Sequence, residues 1–345
     1  MPYEIWNRRY TGSKYKLADW IFDIIDNNCK GNSFCDIFAG TGIIAQHALS
    51  RMKMVTVNDF LFSNEIIYKA FFLQEPYDKE KIAHYKTTFQ NLIAQNLQEN
   101  YVSENFGNKF FSYNDSLLIG EIREQIESAK DLSEKEYAIL LASLLYSADK
   151  VANTVGHYDA YIKGHTIADQ FKFELISPYK TKATVQIHRE DSNLLAKTLE
   201  SDIVYIDPPY NSRQYSRFYH VLENITTWKK PKLYGVALKP EPENMSEYCR
   251  NTAFEAFSAL INDLKCKYIV VSYNNTYASK SSSSMNKMSL ENIKEVLSAK
   301  GKLTCFEKAH QFFNAGKTEF ADHKELIFLV EVKSNGKSKK SKNGI

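Results

Sequence analysis

Asp207-Pro208-Pro209-Tyr210 closes the apolar run Asp202-Ile-Val-Tyr-Ile206, which reads as a buried strand. The residue types suit one demanding reaction, transfer of a methyl group to an exocyclic amino nitrogen of a nucleobase. Such a nitrogen is a poor nucleophile, because its lone pair is delocalised into the ring and no nearby base can deprotonate it at neutral pH. It has to be activated by geometry. The Asp207 carboxylate and the Pro208 main-chain carbonyl can accept from its two N–H bonds, drawing it toward tetrahedral form and freeing the lone pair to attack a methyl sulfonium in line. Two prolines with restricted φ stiffen the loop that presents the carbonyl. Tyr210 is placed to stack on the base, and a plain strand ending in a proline turn is the alternative.

A second set of residues could hold the group that supplies the methyl. Phe38-Ala39-Gly40-Thr41-Gly42 follows a strand and precedes a helix, and glycines there let a ligand approach the backbone at a helix N-terminus. No Lys-Ser/Thr follows the second glycine, which argues against a phosphate-binding P-loop. Asp36, on the preceding strand, could face an amino-acid end of the ligand. Asp59, in Val57-Asn58-Asp59-Phe60, could take two ribose hydroxyls, and Asp191, in His188-Arg-Glu-Asp191-Ser, lies at the matching edge for an adenine amino group. For both Asp59 and Asp191 the alternative is a loop aspartate capping the next helix. Near the N-terminus, Arg8-Arg9-Tyr10-Thr11-Gly12-Ser13-Lys14-Tyr15-Lys16-Leu17 offers a cation and free N–H groups to a carboxylate, or else a solvated basic turn.

The elements that must position these residues can be read from the pattern. Strands are expected at 33–38, 54–57, 184–188, 202–207, 267–272, 303–306 and 325–330, the last two as an antiparallel hairpin at the sheet edge. Helices are expected from Leu17 to about Asn27 and from Ile43 to about Met52. From Phe62 to about Tyr179 the reading is mostly helical: amphipathic stretches over 77–100 and 116–130, then a helix opened by the capping box Ser133-x-x-Glu136 and running to Val151. The fold class is α/β, a Rossmann-like sheet with an inserted, mostly helical domain. Residues 1–61 and 180–332 form the catalytic domain, 62–179 the insertion, and 333–345 a basic tail expected to be disordered.

Composition sets bounds. The 345 residues are 43% hydrophobic, enough for one large or two modest cores. No apolar run is long enough to span a bilayer and the N-terminus does not resemble a signal peptide, so a cytoplasmic protein is expected. Five scattered cysteines, Cys29, Cys35, Cys249, Cys266 and Cys305, contain no Cys-x-x-Cys pair and support neither a disulfide framework nor a zinc site. The net charge of +3 hides a tail with five lysines and no acid, so the body sums to −2 and any nucleic-acid surface must be a local patch.

In order along the chain, Gly12-Ser-Lys-Tyr-Lys-Leu17, Asp36-Ile-Phe-Ala-Gly-Thr-Gly42, Asn58-Asp59, Asp191 and Asp207-Pro-Pro-Tyr-Asn-Ser-Arg-Gln-Tyr215 resemble the alpha-order family of DNA adenine 6-amino methyltransferases, which includes the adenine methylases of type II restriction–modification systems. The resemblance covers both ends of the chain and leaves the middle weakly matched. It implies S-adenosylmethionine as methyl donor and no metal. Tyr10, Lys14, Asp36, Phe38, Gly40, Thr41 and Gly42 would hold its methionine part, Asp59 and Phe60 its ribose side and Asp191 its adenine, with Asp207 also at the cofactor. Catalysis would rest on Asp207, Pro208, Pro209 and Tyr210, acting on an adenine flipped out of double-stranded DNA.

The same resemblance makes the insertion a target-recognition domain. Within it, the loop Val151–His165 interleaves glycines, aromatics and cations, and His157 or Tyr158 could fill the gap left by the extruded base, unless this is simply a surface loop. Arg9, Lys16, Tyr161, Lys163, Asn211, Arg213, Tyr215 and Arg217 are the remaining expected DNA contacts, with Lys229, Lys230 and Lys232 further out. A cognate restriction endonuclease acting on the same site, without direct contact, is the implied partner, and oligomeric state is open. Cytosine 4-amino methylation and RNA amino methylation are the enzymatic alternatives, and an idle DNA-specificity subunit is the non-enzymatic one.

Overall fold

The computed structural model describes residues 1–209, 211–274, 287–309 and 324–333. Tyr210 and all of the basic tail beyond Lys333 lie outside these residues, so the stacking expected of Tyr210 and the disorder expected of the tail do too.

An N-terminal helix α1 (Ala18–Asn28) leads into strand β1 (Ser33–Asp36), helix α2 (Ile43–Leu49) and strand β2 (Met54–Asn58). Helices α3 (Phe62–Phe72), α4 (Lys79–Gln90), α5 (Tyr101–Phe106), α6 (Tyr113–Ser128) and α7 (Glu134–Val151) follow before the chain returns to strand β3 (Thr184–His188). Then come α8 (Ser192–Thr198), β4 (Ile203–Ile206), α9 (Tyr215–Phe218), α10 (His220–Thr227), α11 (Ala253–Asp263), β5 (Tyr268–Asn274), α12 (Leu290–Lys300), β6 (Gly301–Ala309) and β7 (Lys324–Val332). The strands form one sheet in the order β3-β2-β1-β4-β5-β7-β6. The first five are parallel; β7 runs antiparallel on β5 and β6 antiparallel on β7, as expected of the last two strands.

β4 reads Ile-Val-Tyr-Ile and is buried at all four positions, the composition of a central parallel strand covered on both faces. One face packs under α8, α11 and α12, with Val204, Ile206, Leu260, Val271 and Phe328 in a single cluster. The other face has no such boundary. Phe34, Val55, Ile203 and Val270 belong to the same cluster as Ile67, Phe106, Ile139, Tyr146 and Ile225, so the sheet and the middle helices share one core. At the N-terminal edge of the sheet, Asp202 accepts from the backbone N–H of Asn32 (2.7 Å) and Ser33 (3.2 Å) and pairs with Lys267 (2.8 Å), which aligns the starts of β1, β4 and β5. Those donors hold its carboxyl down to about 2.

The expected helices differ from the observed ones in physically readable ways. The stretch 77–100 breaks after Gln90, and Asn100 opens the separate helix α5 with a capping box to Ser103. α6 starts earlier than expected, because the Ser112 hydroxyl accepts from the Asp115 N–H. Residues 152–183 contain no helix; beyond the loop Val151–His165, this departs from the mostly helical reading that ran to about Tyr179. This segment runs back over α6 and α7, and distant side chains satisfy its backbone: the Asp115 carboxylate accepts from the N–H of Gln170 and Phe171, the Ser143 hydroxyl from Ile176, and the Ser147 hydroxyl from Glu174.

Candidate active site

In an open parallel sheet the crevice beyond the strand C-termini, at the point where strand order reverses, is the natural ligand site. Here that point lies between β1 and β4. A pocket opens there, lined by residues from the ends of β1, β2 and β4 and from the N-terminal arm. Three acids reach it from strand ends. Asp36 is the last residue of β1, paired in register with Val57 and Tyr205, while Asp59 follows β2 and Asp207 follows β4.

Each acid is in a different condition. Asp36 is 1% exposed, and neither of its carboxyl oxygens has a hydrogen-bond partner. Burial, then the nearby Asp207 and Asp59 carboxylates, push its pKa well above the usual carboxylate range, against which the Ala45 N–H, outside bonding geometry, and Lys14 weigh less. Asp59 accepts from Gly40 N–H and Leu61 N–H, both at 2.9 Å, and so braces the glycine turn; burial still raises its pKa. Asp207 forms an ion pair with Lys14, Nζ to Oδ2 2.9 Å. Burial alone would discharge that lysine, but the Asp207 and Glu325 carboxylates outweigh it and raise its pKa.

The glycine turn is shaped by residues outside the motif. Gly40 and Gly42 have φ of 53° and 79°, a region that favours glycine. A Cβ at Gly42 would meet Ile5 at 2.9 Å and Tyr68 at 3.0 Å. The Gly40 carbonyl accepts from Arg8 (2.7 Å) and from the Tyr68 hydroxyl (2.8 Å). Arg8, itself buried, also donates to Asn64 (2.7 Å) and lies over the Tyr10 ring. Thr41 is buried beside the turn and Phe60 lines the pocket. Phe38 meets Tyr248 edge to face at 4.9 Å.

The N-terminal arm is bound to the helices after the Asp-Pro-Pro loop. Tyr10 stacks on Tyr219 at 4.9 Å and leans on Tyr215 at 5.3 Å. The Tyr219 hydroxyl accepts from Thr11 N–H (2.8 Å), and the Tyr215 hydroxyl donates to the Thr11 carbonyl (3.1 Å). Tyr10, Lys14, Asp36, Phe38, Gly40, Thr41, Asp59, Phe60, Asp191, Asp207 and Pro209 thus line one pocket. Gly42 follows as the N-cap of α2, and Pro208 is buried beside the pocket. Asp191 does two things at once: its Oδ1 caps α8 through Asn193 N–H (2.9 Å) and Leu194 N–H (3.2 Å), and it lines the pocket.

The expected DNA contacts are less uniform. Tyr158 is corrected to a core residue: it is fully buried, and its hydroxyl donates to Asp149 (3.0 Å), so it is not available to enter a duplex. Arg9 is likewise engaged, donating to the carbonyls of Asp149, Ala152 and Thr154 at the end of α7. Tyr215 belongs to the pocket wall rather than to an outer surface. His157 is half-buried and stacks on Phe218 at 4.6 Å, and burial lowers its pKa. Tyr161 packs on Phe110, with the exposed Lys163 over its ring. Lys16 is exposed, Asn211 accepts from Arg213 N–H (3.0 Å), Arg213 lies over Phe218, and Arg217 donates to the Pro240 carbonyl. Of the outer lysines, Lys229 pairs with Glu243 and Lys230 with Glu124, while Lys232 is exposed over Tyr234.

Arg8 enters the sequence reading only as part of the basic N-terminal run, and Tyr68, Tyr219 and Tyr248 have no place in it. The four-residue spacing of Tyr215 and Tyr219 on a helical stretch carried a usable signal; the other three act through backbone carbonyls or ring contacts that no motif encodes. Among the described residues, no group of three His, Cys, Asp or Glu is placed to hold a metal ion, and no helix is long and apolar enough to cross a membrane.

Fold and site together define an α/β enzyme with a nucleotide-type pocket at the reversal point of its sheet. The chain belongs to the D12 class N6 adenine-specific DNA methyltransferases, whose family model matches residues 10–296. The type II methyltransferase M.NlaIII of Neisseria lactamica is 31% identical over 350 residues, covering 93% of this chain and 98% of that protein. M.CviAII of Paramecium bursaria Chlorella virus 1 is 32% identical, covering 94% and 98%. M.FokI of Planomicrobium okeanokoites is 28% identical over 95% of this chain but only 54% of its own length. The protein is therefore an adenine-specific DNA methyltransferase; its substrate is DNA, and its reaction requires a methyl donor.

Proposed function

We propose that this chain transfers a methyl group from S-adenosylmethionine to the 6-amino group of an adenine flipped out of double-stranded DNA, as the modification enzyme of a restriction–modification system in the cytoplasm. The type II names of its full-length relatives support the biological setting, in which an endonuclease cutting the same site is the functional partner. The observation that carries the chemistry is the convergence of Asp36, Asp59 and Asp207 on one pocket, with the last of them opening the Pro-Pro loop.

S-adenosylmethionine, when bound, supplies an electrophilic methyl group. The chain's own residues fit it. Asp36, buried and without a donor for either oxygen, is suited to an ammonium group, which would pair those oxygens and reverse the upward push on its pKa. Asp59, already oriented by two backbone donors, can accept further from ribose hydroxyls. Phe38, Tyr248 and Asp191 form the wall for an adenine ring. Asp207 and the Pro208 carbonyl hold the two amino protons of the target base, and Lys14 fixes the Asp207 carboxylate in place through its ion pair. Tyr210 stacks on the base by its place in the motif. In the same reading, residues 62–179 supply target recognition, and Lys16, His157, Tyr161, Lys163, Asn211, Arg213 and Arg217 are its contact set.

Base-level modification mapping of unmethylated plasmid treated with protein and S-adenosylmethionine tests this. N6-methyladenine at one short recurring sequence is expected. Asp207→Ala should lower the transfer rate at least about a hundredfold, the scale set by losing one positioned polar group at a reacting atom, while calorimetric cofactor affinity stays within a few-fold. Retained transfer in that variant, or 4-methylcytosine in place of methyladenine, would refute the assignment.

A further inference from the structure

Beyond the pocket, and apart from Met1, the most exposed large apolar side chain among the described residues is Val236, 70% exposed, two residues from Tyr234 at 47%. Both lie on a tight hairpin closed by reciprocal backbone hydrogen bonds, Tyr234 N–H to the Lys239 carbonyl (2.8 Å) and Lys239 N–H to the Tyr234 carbonyl (3.0 Å). Its tip stands clear of the body, since a Cβ at Gly235 would meet nothing within 4 Å. Leu238, at φ 54°, holds a left-handed conformation unusual for a leucine, a strain that persists only where surrounding structure imposes it.

The hairpin is held to the helix pair after the Asp-Pro-Pro loop. Buried His220 contacts the Ala237 carbonyl at 2.8 Å, Arg217 donates to the Pro240 carbonyl, and Gln214 and Ser246 exchange hydrogen bonds of 2.9 and 2.7 Å. Asn244 and Ser246, just past the hairpin, line the pocket itself. The arm 229–239 carries four lysines and no acid; Lys229, Lys230 and Lys239 pair with Glu243, Glu124 and Asp159 of neighbouring segments, and Lys232 is exposed beside the tip. An apolar tip flanked by an exposed lysine and by lysines that can exchange a carboxylate for a phosphate, joined to the rim of a pocket, matches the chemistry of a duplex being opened: cations for the phosphates and an apolar wedge for the base stack. In the loop 153–165 the two rings expected in that role are engaged, Tyr158 in the core and His157 against Phe218, and its exposed apolar residue Val155, at 58%, is less exposed than Val236.

Resting on the function proposed above, we infer that the hairpin Tyr234–Lys239 enters the DNA at the target position and that Val236 occupies the space vacated by the flipped adenine. A wedge offsets the cost of breaking the base pair, so it matters only where there is a pair to break. The test is single-turnover methylation of two duplexes carrying the mapped site, one matched and one with an abasic position opposite the target adenine. Val236→Gly is expected to slow the matched duplex about tenfold or more and the abasic duplex less than about twofold, with cofactor affinity unchanged by calorimetry. Val155→Gly, on the neighbouring loop, is the competing wedge and should not show the matched-only defect. Equal slowing of both duplexes by Val236→Gly, no slowing of the matched one, or the matched-only defect appearing in Val155→Gly instead would overturn the wedge. Wild-type enzyme that methylates neither duplex overturns the adenine reading and the wedge with it.

Discussion

A buried carboxyl with no hydrogen-bond partner, as at Asp36, is an expensive thing to keep in a finished fold, costing about 1–3 kcal/mol when neutral and more when charged. In the function proposed above, its position in the pocket gives it a cationic donor on the bound methyl source, which would relieve that cost. Because burial raises its pKa in the free protein, a bound ammonium must lower it again, so cofactor binding and proton release are linked. Calorimetry in buffers of different ionisation enthalpy should register proton release, and affinity should rise with pH through the range where Asp36 titrates. Asp36→Asn should abolish that linkage and weaken binding at least about tenfold; an unchanged pH dependence in the variant would remove Asp36 from the cofactor contacts. Asp36, Asp207, Gly40 and Gly42 were legible in the sequence because the chemistry or the backbone admits few alternatives at those positions. Arg8 and Tyr68 were not. They reach the Gly40 carbonyl across 32 and 28 residues, and any donor of the right length could do the same work.

At the scale of elements, the strands were legible and the irregular segments were not. β4 and β5 carry β-branched or aromatic residues on both faces, a pattern that needs no tertiary information. Between the loop Val151–His165 and Tyr179 the mostly helical reading fails because nothing local says that Ser143, Ser147 and Asp115 on distant helices will satisfy the backbone instead. The hairpin arm depends on tertiary contacts in the same way, through His220. Burial lowers the pKa of this imidazole to about 4, assisted by Lys239 and Arg217 and opposed by the carbonyls of Arg217 and Ala237. The unfolded chain takes up the proton near 6.5, so this contribution to stability is present above that pH and is lost as pH falls toward 4. The stability of wild type relative to His220→Gln should therefore be flat above pH 6.5 and drop below it by up to about 3 kcal/mol, measured by urea unfolding across the range. A flat difference down to pH 4 would mean that the ring is solvated or already charged when folded.

On the scale of the whole molecule, the reading of a catalytic sheet interrupted at residue 62 and resumed near 180 describes the order of the chain, while the packing joins the two parts. The cluster on one sheet face continues without a gap from Phe34 and Val55 through Ile67 to Phe106, Ile139 and Ile225. Sequence could not show this, because the apolar stripes of α3, α6 and α7 do not state which neighbour they face. Arg123 of α6 is the sharpest link. Buried to 1% exposure, its guanidinium donates to the Ile225 carbonyl at 2.6 Å and the Thr226 carbonyl at 3.2 Å, pairs with Glu127 at 2.8 Å, and lies 5.1 Å from the Trp228 ring centre. It thus caps the C-terminal end of α10, the helix that lies between Tyr215 and Tyr219 of the pocket wall and the hairpin arm, from inside the inserted segment. Arg123→Met keeps the volume and removes the donors, leaving buried carbonyls unpaired; a loss of about 3 kcal/mol is expected. If the inserted helices and the sheet fold as one body, far-ultraviolet dichroism and tryptophan fluorescence should still trace a single coincident transition, shifted to lower denaturant. Two separated transitions, with the cofactor shifting only one of them, would instead make the inserted segment an independent unit that merely leans on the catalytic sheet.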